Sequence, residues 1–99
     1  MKTPEAEQLA NLILDYMAVV CDCLAQSDFA NDRPVYMGDL ALASAWLVKL
    51  HRGETAAAVA NDIAQAGKAL FDYYRQGPWG ERHAKAAAAL QGSARQRES

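Results

Sequence analysis

The stretch VANDIAQAGKALFDYY, Val59 to Tyr74, decides how this chain is to be folded. At about 100° per residue, Val59, Ile63, Gly67, Leu70 and Tyr74 share one side of a helix, and Ala56 joins them one turn earlier. Asn61, Gln65, Lys68, Asp72 and Arg75 fall on the opposite side. A stripe that stays in phase over several turns marks one amphipathic helix. The spacing predicts a helix from Glu54 or Thr55 to about Gln76, ended by Gly77-Pro78 with Trp79 in the turn.

Upstream lies DLALASAWLVKLHRG, a second helix starting at or near Asp39. Leu40, Leu42, Ala43, Trp46, Leu47 and Leu50 gather on one side of it. Gly53 fits the position just past its end, behind Lys49, His51 and Arg52 in the last turn. Ser27 to Asp39, rich in Asp, Asn, Pro and Gly, reads as a connection, with Pro34 opening a short turn capped by Asp32. The first helix is expected from Pro4 to about Gln26, with Thr3 as its cap and Glu5 and Glu7 at its positive end. Downstream, a short Ala-rich fourth helix is expected from Glu81 to Leu90. The domain then covers 1–91, and 92–99 is a polar, disordered tail. No segment alternates as a strand does.

The first helix is unusual. Between Leu9 and Leu24 its strongly polar residues, Asn11, Asp15 and Asp22, lie within an arc of roughly 40°. A surface helix needs only about 100° of apolar stripe. This one is apolar over most of its circumference and needs cover on more than one side. That predicts a homodimer with two-fold symmetry, joined through Leu9, Ile13, Tyr16, Met17, Val20 and Leu24.

Asp62 to Gln76 resembles the helix-turn-helix of Tet-repressor-like proteins. The matching letters are Asp62-Ile63-Ala64, Ala66-Gly67 and Leu70-Phe71-Asp72-Tyr73-Tyr74. The resemblance covers about fifteen residues and implies a DNA-binding transcriptional regulator reading bases through a degenerate helix-turn-helix at 59–76. The family pattern has several more residues between the two ends, including the Val-Ser of the turn. Without them, Lys68 to Tyr74 continues the helix that holds Ile63. The element also carries few basic groups for phosphates.

Ninety-nine residues make one domain. At 52% apolar, the chain exceeds the usual ~45–50% and can fill a core. The net charge is −2, unevenly spread. Residues 1–45 hold Lys2 and Arg33 against seven Asp and Glu, a balance of −5; residues 46–99 hold eight basic against five acidic groups, a balance of +3. The halves are expected to attract each other, within or between chains. A general nucleic-acid binder more often has a basic excess. With no secretory leader and no run of 18 uncharged apolar residues, a cytoplasmic chain with no membrane partner is expected.

No motif signals catalysis. His51 and His83 are the only histidines, and both read as surface residues. H-E-x-x-H, Gly-rich phosphate loops and G-x-S-x-G are absent. Cys21 and Cys23, two apart, point away from each other on a helix and read as buried reduced thiols. No cofactor or metal is expected. What remains is surface. FDYYRQGPWG packs four aromatics and Arg75 into ten residues, the types enriched where proteins bind each other. The sequence thus predicts an all-α antiparallel bundle of three main helices plus a short fourth. It predicts a non-enzymatic regulator that occludes a larger protein, as an antiactivator of a transcription factor would. The partner-binding residues would be Tyr36, Met37, Trp46, Tyr73, Arg75 and Trp79.

Overall fold

The computed structural model describes the backbone of residues 3–26, 33–72 and 77–98, and the side chains of 3–26, 33–66 and 81–96. Four α-helices follow one another: α1 (Pro4–Gln26), α2 (Arg33–His51), α3 (Ala56–Asp72) and α4 (Gly77–Glu98). There is no strand among the described residues. Every connection is too short to run back along a helix of this length, so packed neighbours alternate in direction. α1 packs on α2 and α4, and α3 on α4 and α2.

Local chemistry explains the ends. Thr3 Oγ1 accepts from the Ala6 amide at 3.1 Å, and Thr55 Oγ1 from the Ala58 amide at 3.1 Å. Both satisfy amides that a helix start leaves unpaired. At the end of α2, Gly53 has φ +99°. Its N–H donates to Leu50 O at 3.1 Å, and that of Glu54 to Lys49 O at 3.0 Å. This is the paired closure that glycine permits at a helix C-terminus.

α3 runs unbroken through Gly67 to Asp72. The turn of a helix-turn-helix is therefore absent from 59–72; the remainder of that stretch, 73–76, lies outside the described residues. Two boundaries differ from expectation. α2 begins at Arg33, six residues before Asp39, because Val35, Tyr36 and Asp39 pack inward and Pro34 suits a first helical turn. α4 spans Gly77–Glu98, taking in Gly77-Pro78 and Trp79 and most of the predicted tail. Ala94 is fully buried, so its contact with the core carries the helix past Gly92.

The core gathers Leu9, Ile13, Val20, Leu50, Val59 and Ile63, each at most 1% exposed. The single chain thus covers one side of α1, while Leu14 and Ala18 on its outer side stay exposed. Leu9, Ile13, Tyr16 and Val20, expected at a dimer contact, lie in this core, while Met17 and Leu24 are half-buried at its edge. α2 and α4 cover the face that carries these residues, so a contact with a second copy cannot run through Leu9, Ile13, Tyr16 and Val20. By length and composition α1 is apolar enough to cross a membrane, although it carries Asp15 and Asp22; its buried face belongs to this core.

Candidate functional site: a buried polar junction and an uncharged outer face

Three helices place a polar side chain at one point inside the bundle. Tyr16 comes from α1, Asp39 from α2 and His83 from α4, at 2%, 7% and 0% exposure. His83 Nε2 lies 2.8 Å from Asp39 Oδ2. The Tyr16 hydroxyl lies 3.0 Å from His83 Nε2 and 3.4 Å from Asp39 Oδ2. An ionised carboxylate only accepts, so Nε2–H and the phenol both donate to Asp39. The Tyr16 oxygen remains as a second acceptor for His83. The imidazole also meets the rings of Tyr16 and Tyr36 at 5.7 and 5.6 Å between centroids, at interplanar angles of 60° and 59°. Burial, and then the charge of Asp39 and the hydrogen bond to it, push the Tyr16 phenol far above its ordinary pKa. It stays a neutral donor.

This overturns the surface reading of His83. The sequence shows a histidine in a charged segment, GERHAK, but α4 turns His83 inward while Arg82 stays at the surface. Asp39, read as the start of α2, instead sits buried inside it. Neither residue signals its partner locally, because the pair closes over 44 residues.

A carboxylate orienting a histidine beside a hydroxyl is the raw material of acid–base chemistry. Here all three groups are sealed among helices. They bond to one another through His83 Nε2, Asp39 Oδ2 and the Tyr16 hydroxyl. Among the described residues no three His, Cys, Asp or Glu side chains converge to hold a metal. Cys21 is exposed and Cys23 buried, on opposite sides of α1 as the spacing requires; the expectation that both are buried fails because the solvent face runs through Cys21. Burial raises the Cys23 thiol pKa, so Cys23 is a poor nucleophile.

No family model matches the chain, and no curated protein or solved structure matches it either.

Of the predicted partner-binding residues, Tyr36 and Trp46 are core, each 2% exposed. Their rings fill the space between α2 and its neighbours. Met37 is 61% exposed. Tyr73 and Arg75 lie outside the described residues, as does the side chain of Trp79. His51 is exposed at the end of α2, as expected.

The outer face of α2 carries what sequence reading missed. Asp39, the sole charged residue between Arg33 and Lys49, points into the bundle. Met37, Ala41, Ser44 and Val48 point out, within about 60° of one another around the helix, and all four are exposed. Leu42, 38% exposed, lies about 100° further round the helix from Ala41. The helix buries its one carboxylate beside Tyr36, Ala43, Trp46 and Leu50 and exposes an uncharged outer face. A second exposed leucine, Leu14 at 50%, lies on the outer side of α1. It lines a shallow open depression with Glu7, Ala10 and Asn11. The signal was available. A helix with Asp39 on the same side as Ala43, Trp46 and Leu50 must bury a charge or expose that whole side.

Charge pairs tie the helices together. Arg82 on α4 meets Asp22 on α1 at 2.9 Å, and Lys49 on α2 meets Asp62 on α3 at 2.7 Å. The acidic and basic halves meet within the chain through Asp22–Arg82.

Proposed function

We propose that this protein is a non-catalytic regulator that works by binding another protein and occluding part of its surface. One observation carries the reading: the solvent face of α2 is uncharged from Met37 to Val48, while the helix turns its carboxylate inward. Exposed apolar residues scattered singly need no explanation. A contiguous helix-length row does, because such rows mark protein contact sites. A partner helix or groove would take Met37 and Val48 as anchors spaced along one helix face. The sealed Tyr16–Asp39–His83 junction supports a scaffold role over catalysis.

The test is capture of proteins from nuclease-treated lysate of the source cells, using the parent and a Met37→Asp/Val48→Asp variant. The expected result is one stoichiometric protein retained by the parent and lost at least about tenfold with the variant, at unchanged helicity. Equal retention by both would remove α2 as the docking face. Retention that requires intact nucleic acid would instead support a DNA-binding regulator.

A further inference from the structure

We propose that the outer face shared by α1 and α2 joins two copies of this chain in a two-fold dimer, each α1 lying across the partner's α2. The inference rests on the reading of the α2 face as a docking surface and names its first occupant.

Spacing is the first argument. Among the exposed uncharged positions, 37, 41, 44 and 48 share one outer face of α2, and 11, 14, 18 and 21 share one of α1. Steps of three and four residues alternate on both helices, which is how a seam between two paired helices is written. Between the two seams, Met17, Leu24, Leu40 and Leu47 are only partly buried, so the apolar surface is continuous across the layer.

Charge selects the pairing. α1 has no Lys or Arg and exposes Glu5, Glu7, Asp15 and Asp22. The exposed cations at the two ends of α2 are Arg33 at one and Arg52 just past the other; Lys49 beside it is bonded to Asp62, and exposed Glu54 follows. Packing α1 on its own copy sets acid against acid. Packing α2 antiparallel on its own copy sets Arg33 against Lys49 and Arg52. Only α1 on the partner's α2 places opposite signs together, and a two-fold axis makes that contact twice.

Register follows from the buried junction. Tyr16 and Asp39 touch, and the two helices run antiparallel, so residues at one level have numbers summing to about 55. An axis parallel to the helices preserves level. Leu14 then faces the partner's Ala41, and Ala18 faces the partner's Met37. Asp22, already bonded to Arg82, comes level with the partner's Arg33, and Glu7 with the partner's Lys49. At the middle of the seam large residues meet small ones, Leu14 with Ala41 and Ala18 with Met37, and Asn11 comes level with Ser44. The face measures roughly 23 by 20 Å, at the small end of specific interfaces, so the dimer should dissociate on dilution.

Sedimentation velocity from low micromolar to sub-millimolar protein reads the state directly. The parent should pass from monomer to dimer across that range, and Met37→Asp should weaken association at least about tenfold without loss of helicity. A disulfide trap reads the register. In a Cys21→Ser background, Leu14→Cys with Ala41→Cys should form covalent dimers on mild oxidation, and either cysteine alone should not. Non-reducing gels separate a covalent dimer from any bridge closed within one chain. A parent that is monomeric throughout, a dimer unaffected by Met37→Asp, or trapping through Leu14→Cys alone would each overturn the proposal. A monomeric parent that still loses its lysate partner on Met37→Asp would sink the dimer and leave the docking face standing.

Discussion

Arg82 and His83 are neighbours on α4, and each reaches an aspartate of another helix. Arg82 meets Asp22 at 2.9 Å, with 46% and 59% of the two side chains exposed. His83 meets Asp39 at 2.8 Å, with 0% and 8% exposed. The distances are nearly equal and the environments opposite. The outer pair is held in water, where attraction is screened and ordering two long side chains offsets most of the gain. The inner pair has exchanged water for each other and for Tyr16. It must be kept whole, because a lone member would be stranded without solvation.

The largest expected effect tests that contrast. His83→Ala leaves a buried carboxylate whose main partner is gone, and should cost about 3–5 kcal/mol in urea unfolding at neutral pH. Domains of this kind have about 5–15 kcal/mol in total, so the variant would be close to unfolding. Replacing both members, as Asp39→Leu with His83→Leu, should recover most of the loss, since apolar groups of similar volume often serve a buried site as well as an ion pair does. If the double variant is as unstable as the single one, the junction contributes more than mutual satisfaction of its polar groups.

Tyr16→Phe comes next. It removes one donor from a buried acceptor and should cost about 1–2 kcal/mol. It also carries a pH signature. The unfolded chain loses its phenolic proton near about pH 10, whereas the folded protein keeps that of Tyr16 well beyond. The contribution of Tyr16 is therefore intact below about pH 10 and fades as pH rises above it. Denaturation midpoints should fall less steeply between about pH 9 and 11 in Tyr16→Phe than in the parent; identical slopes would mean that the phenol is not held protonated.

The smallest effect belongs to the outer pair. Arg82→Ala should change stability by no more than about 1 kcal/mol, and added salt should erase the difference, as it should not for His83→Ala. A loss as large as that of His83→Ala would abolish the distinction between the two pairs.

Much of the fold was legible because it is written locally. Thr3 and Thr55 announce helix starts with side chains that bond three residues ahead. Gly53 announces an end, and the stripe from Val59 to Ile63 lies in the core as its phase required. The candidate site was not legible, because it is made of distant pairings. Asp39 resembles a helix cap in sequence, and only α4, arriving 44 residues later, makes it a core residue. Tyr36 and Trp46 were read as adhesive because aromatics are enriched at interfaces. The same rings fill cores, and inward-facing Asp39 and Ala43 set which side of α2 they share. The all-round apolarity of α1 is met by two helices of the same chain on its inner side only, and Leu14 stays half exposed on its outer side.

The turn at Gly53 bears on the order of events in folding. It joins α2 to α3 with only Arg52 to Thr55 between them, and α3 and α4 are likewise close in sequence. These helix pairs can assemble over short chain distances, where closing a loop is cheap and rates are high. Docking α4 onto α1 closes the longest loop, and His83 is brought to Tyr16 across 67 residues in doing so. The junction is then a late contact. Loosening it should speed unfolding and leave the folding rate nearly unchanged, so that His83 sets how long the folded chain persists rather than how quickly it forms.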